Sequence, residues 1–473
     1  MLFNSLAYAV FLPVVFVLYW IIPHKVRWPL LLVASYYFYM SWNAKYVVLI
    51  ASTTVISYLC AIAIEKTDKK EHKRLAVAVS LVVSLGILYV FKYFNFSVDL
   101  LGRFTSLRIS HLNYLLPVGI SFYTFQTLGY VIDVYRGDIK AERNLGVYAT
   151  FVSFFPQLVA GPIERTKNLM PQITSEKHFD YNSAAYGVRL ILWGLYKKMV
   201  IADNLALYVD KVYGDIHSYS GYSLFLATFF FSLQIYCDFS GYSDIARGSA
   251  KMLNINLIEN FKSPYFSASI KEFWSRWHIS LSTWFRDYLY IPLGGSRVSK
   301  PRTAFNKMVT FLVSGLWHGA NMTFVIWGGV HGAAQVGEDV LKIKKSEKHN
   351  LYWVIRVICV FVFVMAGWVF FRASSFNDAL YVFGNMFNGV GNIGAYMAEG
   401  FSALDINRNL IVKIILLYLV PLTVYDFISL KSDICEWLGK KKAIVRYAFM
   451  LVISVLILVY GYVGQSTFVY FQF

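Results

Sequence analysis

Long apolar stretches separated by short polar ones make up most of this chain. Runs of spanning or near-spanning length fall at 4–23, 28–43, 45–64, 75–94, 113–134, 146–163, 184–207, 221–247, 308–336, 351–371, 409–428 and 446–464. A helix needs about 20 apolar residues to cross the hydrocarbon of a bilayer. Lipid offers the backbone no outside partner, so helices are the spanning form that these runs predict. The pattern predicts an all-α polytopic membrane protein of about eleven transmembrane helices, with one or two runs entering without crossing. No internal repeat or Ser/Pro-rich linker interrupts it, which predicts one membrane domain over residues 1–473.

One stretch, from Asn260 to His331, departs from plain apolar runs. At 3.6 residues per turn, Lys271, Ser275, His278, Ser282 and Arg286 share one side, and Trp274, Trp277, Leu281, Trp284 and Tyr288 share the other. The spacing predicts one helix with a cationic stripe back to back with an aromatic one. Downstream, Met308 to Val336 reads as a second, almost wholly apolar segment with Trp317-His318-Gly319 deep inside it.

Composition agrees with the membrane reading. At 473 residues, 57% hydrophobic and only 15% charged, the chain is too apolar for a soluble globular protein. The net charge of +17 lies in short runs between apolar segments, as the positive-inside rule predicts, and this argues against a nucleic-acid partner. Met1-Leu-Phe-Asn-Ser5 has neither a positive flank nor a cleavage site, so it reads as the start of an uncleaved first span. With His24-Lys-Val-Arg27 inside and the N-terminus outside, the basic loops 65–74, 136–143, 342–348 and 440–446 come out cytoplasmic. The C-terminus then lies outside, and residues 372–408 form an exterior loop suited to a partner. Lys197-Lys198 is the awkward point, requiring either a tilted interfacial helix or a different boundary. Cys60, Cys237, Cys359 and Cys435 are scattered, giving neither a disulfide framework nor a metal-site spacing.

Ionisable groups in lipid are costly and usually have a partner or a job. Asp133 and Glu164-Arg165 sit where spans end and read as structural ion pairs. Asp238 and Tyr242 share a helix face with Gln234 one turn earlier, a ladder that either lines a cavity or joins two helices. His318 and His331 are 13 residues apart, about 140° in azimuth on one continuous helix, so they would not meet. Haem would need matching histidines on a second helix, and apart from His278 none exists in the membrane segments. His331 lies nearer the cytoplasmic end, where a hydrated or capping role is ordinary. Trp317, Gly319 and Asn321 around His318 describe a tight, partly polar pocket. An uncharged imidazole there suits general-base chemistry, and a satisfied core histidine fits the pattern as well.

Ser121-Phe-Tyr-Thr-Phe-Gln126, Val159-Ala-Gly-Pro-Ile163, Tyr236-Cys-Asp-Phe-Ser-Gly-Tyr-Ser-Asp244, Glu272-Phe-Trp-Ser-Arg-Trp-His-Ile-Ser-Leu-Ser282, Trp284-Phe-Arg-Asp-Tyr-Leu-Tyr290 and Gly315-Leu-Trp-His-Gly-Ala320 resemble the membrane-bound O-acyltransferase family. The resemblance is strongest to its bacterial alginate O-acetyltransferase type and extends to peptidoglycan, exopolysaccharide and teichoic-acid D-alanyl relatives. It covers nearly the whole chain, down to the closing Phe468–Phe473. It implies a helical bundle around a central tunnel with re-entrant or interfacial helices, a catalytic core at about 113–336 and C-terminal spans within 351–464. His318 becomes the catalytic histidine and His278 a second important one, while Asn321, Trp317, Arg276, Arg286, Asp238 and Tyr242 become substrate-binding candidates.

The resemblance also implies acetyl-CoA or another acyl-CoA as co-substrate, no permanently bound cofactor and no metal. The acyl group would leave toward an extracytoplasmic polysaccharide, directly or through an SGNH-type acetyltransferase or small acceptor protein, across a bacterial cytoplasmic membrane. Lys262, Lys271, Arg276, Arg286, Arg297, Lys300 and Arg302 cluster on the side counted as cytoplasmic and suit a phosphate-bearing donor, although positive-inside charge explains part of them. D-alanyl transfer from a carrier protein is the nearest alternative; the chain's length and Ile291-Pro-Leu-Gly-Gly295 favour acetyl transfer. A transporter, for which no inverted symmetry is found, and an inactive scaffold are the readings from other classes.

Overall fold

The computed structural model describes residues 1–105, 109–159, 161–343 and 350–464. The fold is 76% helical, with no strand among the described residues. Among the described residues, six helices are long and apolar enough to cross a membrane: Ala44–Lys66, Lys70–Gly102, Tyr222–Met252, Leu351–Arg372, Arg408–Ser429 and Ala443–Tyr460. The other runs are shorter, broken or, like the charged 184–207 run, less apolar. The 113–134 run becomes helical only at Ile120, after Gly119 at φ 75°, and the 146–163 run breaks at Phe154. The basic 342–348 loop and the closing Phe468–Phe473 fall largely or wholly outside the described residues.

Two compact units form, one of residues 1–191 with 242–259 and one of 192–241 with the residues from 260 on. In the first unit, hydroxyl pairs tie helices together: Tyr8 meets Ser249 at 2.7 Å and Ser57 meets Tyr148 at 2.7 Å. A Cβ on Gly187 would lie 2.5 Å from the Gly248 carbonyl oxygen. Small residues at such crossings let helices approach in lipid, where apolar contact with a neighbour gains little over contact with acyl tails. Asp133 is buried. Glu164 accepts hydrogen bonds from the Ile258 amide at 2.5 Å and Asn168 Nδ2 at 2.7 Å, and burial pushes its carboxyl up to about 7.

In the second unit, burial in protein accounts for Lys197-Lys198. The helix runs through Tyr181–Leu195, a π-helical turn at Tyr196–Ala202, and Asp203–Gly214, and both lysines are buried in protein. Lys198 Nζ lies 2.7 Å from Asp203 Oδ1 and 2.6 Å from Asp238 Oδ1, and Lys197 Nζ donates to Ser240 Oγ at 2.8 Å. Asp238 thus joins helices by ion pairing, as one of its two readings had it. The exterior loop expected at 372–408 instead contains two helices, Phe376–Asn385 and Ile393–Ala403, capped by Ser375 and Asn392.

The largest correction concerns 308–336. This run is not one helix but an antiparallel hairpin of Lys300–His318 and Met322–Val340. A Cβ on Gly315 would lie 2.2 Å from the Phe324 carbonyl oxygen, and one on Gly328 would lie 2.2 Å from that of Phe311. Two bare glycine backbones let the helices touch. The hairpin brings residues 300 and 340 to the same end, which one continuous helix would forbid. Gly328→Leu should wedge the hairpin open and cost about 1–3 kcal/mol, read as a lower melting temperature in detergent. Gly337→Ala, with nothing within 4 Å of its added Cβ, is the control that should melt like the parent.

Candidate active site

The single helix expected across 271–288 is broken. Ile270–Arg276 and Ile279–Phe285 are separate helices, followed by a π-helical turn at Arg286–Tyr290. Between them His278 adopts the left-handed conformation, φ 44° and ψ 53°, a region where histidine is tolerated better than most residues. The segment beginning at Asn260 holds the break open. Asn260 accepts from the Ile279 amide through its carbonyl at 3.0 Å and from the Ser280 amide through Oδ1 at 3.1 Å, while the Lys262 amide donates to the Arg276 carbonyl at 2.9 Å. Asn260 is fully buried and makes the tie that turns the chain, a role that helical periodicity does not reveal.

The break and the hairpin bring His278 and His318 together. His318 is the last residue of the first hairpin helix, and its ring centroid lies 6.4 Å from that of His278. Trp317 stands beside both rings, at 4.9 Å from His318 and 6.1 Å from His278. Phe239 lies 4.6 Å from His278, while Trp327 and Phe371 lie 5.2 and 5.4 Å from His318. Both histidines are buried.

His331 is neither hydrated nor a cap. It is fully buried, and its Nδ1 accepts from Trp274 Nε1 at 3.3 Å. The folded-back helix carries it inward among Trp274, Trp327 and Phe363. His331→Leu would strand the indole N–H and should cost about 1–3 kcal/mol of stability. A melting curve paired with turnover per folded molecule checks this, since a structural histidine should lose the first and keep the second.

A cavity of about 430 Å³ is lined by residues of the same segments that carry the two histidines. Trp274, Phe285 and Phe311 form apolar wall, Ser275, Ser282, Thr310 and Ser314 supply hydroxyls, and Lys271, Lys307 and Arg286 supply positive charge. Its lining includes Ile279, the residue after His278, and Ser314, about 6 Å of helix rise before His318. Neither histidine is part of that lining.

A family model described as membrane-bound O-acyltransferase matches residues 143–376, which span both histidines and the cavity. The probable alginate O-acetylase AlgI of Azotobacter vinelandii is 41% identical over 398 residues, covering 82% of this chain and 78% of that relative. The chain belongs to the membrane-bound O-acyltransferase family. It is similar also to the peptidoglycan O-acetyltransferase of Helicobacter pylori, 36% identical over 431 residues with 82% and 81% of the two chains covered. The teichoic acid D-alanyltransferase of Bacillus subtilis is 28% identical over 285 residues, 55% of this chain and 69% of that one. The protein is a multi-pass membrane O-acyltransferase, and the transporter and scaffold readings fall away.

In this O-acyltransferase the remaining candidates separate. Arg286 lines the cavity and also meets Asp287 at 2.8 Å. Arg276 is not in the lining: it bonds Glu272 Oε1 at 2.8 Å and the Lys262 carbonyl at 3.3 Å, securing the break. Asn321 caps the second hairpin helix by accepting from the Thr323 amide at 3.1 Å, and it donates to the Ser374 carbonyl at 2.9 Å. Tyr242 is buried in the first unit with its ring 5.5 Å from Phe3. Lys307, which periodicity did not single out, lines the cavity from the first hairpin helix.

Proposed function

We propose that this O-acyltransferase takes an acetyl group from cytoplasmic acetyl-CoA and passes it to a hydroxyl supplied from the outer face, for O-acetylation of an extracytoplasmic polysaccharide. The observation that carries this reading is the pair His278 and His318, 6.4 Å apart, with a cavity lined by their chain neighbours Ile279 and Ser314 and by Lys271, Lys307 and Arg286. Phosphates meet the cations, and the thioester points inward along the hydroxyl-bearing wall toward Ser314. His318 takes the proton from the acceptor hydroxyl, whose oxygen attacks the thioester carbonyl. The amide of Asn321 is already engaged at the helix cap, so His278 is the group that hydrogen-bonds the oxyanion or the acceptor. Collapse of the tetrahedral intermediate forms the ester and expels the coenzyme A thiolate, which takes up the proton.

Similarity to relatives named for acetylating alginate and peptidoglycan supports a polysaccharide as the final acceptor. The acetyl group reaches it directly or through an extracytoplasmic SGNH-type acetyltransferase or small acceptor protein. A cytoplasmic donor cavity in a bacterium is supported by the basic residues at the shared end of the hairpin, and both chain termini then lie outside on this reading. The test is purified protein in nanodiscs with labelled acetyl-CoA and exported polysaccharide. Thioester cleavage with label on the acceptor is expected. Inertness toward acetyl-CoA together with transfer from a D-alanyl carrier protein would overturn the acetyl reading in favour of its D-alanyl alternative.

A further inference from the structure

Lys271 and Lys307 line the cavity from different helices, and both bond the carboxylate of Asp339, one to each oxygen. Asp339 itself is outside the lining, in the last turn of Met322–Val340. A negative charge at a helix C-terminus is disfavoured by the helix dipole, so the lysines compensate it. Partial burial pushes this carboxyl up, and the two lysine hydrogen bonds outweigh that effect and hold it below the usual carboxylate range.

Asp339 is not needed as a strut. Its buried neighbour Glu338 already ties the hairpin to the start of the Ile270–Arg276 helix, its two oxygens accepting from the Ile270 amide at 2.6 Å and the Lys271 amide at 3.0 Å. Asp339 is 38% exposed at the rim, where its charge cancels much of the field that the two lysines would project into the cavity.

We propose that Asp339 is an internal counter-ion that holds Lys271 and Lys307 in the resting protein and yields them to the phosphate of a phosphopantetheine thioester donor. This rests on the reading above that the donor is an acyl thioester. A phosphate offers more charge and more acceptor oxygens than one carboxylate. The exchange replaces one anion by another, so the lysines are neither stripped of a partner before binding nor left to scatter. The sign of the consequence is unusual for an ion-pair residue: removing Asp339's charge should tighten binding, whereas removing a merely structural group would leave affinity unchanged or weaken it.

The experiment measures the affinity of coenzyme A and of 4′-phosphopantetheine for full-length protein in nanodiscs, with KM for acetyl-CoA alongside. Asp339→Asn should lower the coenzyme A dissociation constant and KM about three- to tenfold and steepen their salt dependence. Lys307→Met should raise both by a similar factor, and the double variant should lie near Lys307→Met. A larger shift for coenzyme A than for phosphopantetheine assigns the site to coenzyme A, and equal shifts assign it to a carrier-protein arm. Unchanged or weaker affinity for both ligands in a well-folded Asp339→Asn protein overturns the counter-ion. Transfer retained by His318→Ala would instead sink the catalytic assignment while leaving this binding result standing.

Discussion

His318→Ala should lower acetyl transfer by about 10²–10⁴-fold, the range that a lost general base commonly removes. His318→Gln should fall nearly as far, because an amide keeps a hydrogen bond but cannot accept the proton. The ring sits at a helix terminus between Trp317, Trp327 and Phe371, so Gln is the gentler packing change and controls for a collapsed pocket. Transfer to exported polysaccharide is the readout, with insertion checked by size exclusion in detergent. His278→Gln should be impaired and retain more activity than His318→Gln, since it loses a hydrogen-bonding group and not the base. Near-normal transfer by His318→Gln would mean that another group takes the proton.

Lys198→Met should be the most damaging change to stability, at about 3–5 kcal/mol, because it leaves Asp203 and Asp238 buried without their shared cation. Thermal unfolding in detergent, followed by tryptophan fluorescence, measures it. The triple variant Lys198→Met, Asp203→Asn, Asp238→Asn should recover most of the loss, since what hurts is the uncompensated charge. A Lys198→Met protein that melts with the parent would show that water or another cation reaches the two carboxylates. The cluster is 1–2% exposed, and nothing about it calls for catalysis.

The residues of the candidate site could be named from the sequence, but their arrangement could not. Trp317-His318 and Trp277-His278 stood out as motif residues, and the cationic set near them included Lys271 and Arg286, which do line the cavity. The stripe that was to carry them did not exist, because Asn260, from a separate segment, turns the chain at His278. Arg276, Asn321 and Asp238 were equally plausible by type, and each is engaged in holding the fold. A polar side chain among apolar neighbours announces that it has a partner without saying whether that partner is protein or substrate. One signal for the hairpin was present: Gly319 followed by Asn321 is a helix stop and then an N-cap. Hydropathy averaged over the run concealed it.

Residue order and type alone determined that this chain lives in lipid, that it is helical and to which family it belongs, because apolar run length and motif chemistry are local properties. Only the tertiary structure decided that 308–336 folds back as two helices, that His278 meets His318, and that His331 is walled in. Those outcomes depend on Gly315 and Gly328 letting two backbones touch and on Asn260 binding amides nearly twenty residues away. Contacts between distant segments choose among the paths that a periodic apolar pattern leaves equally open.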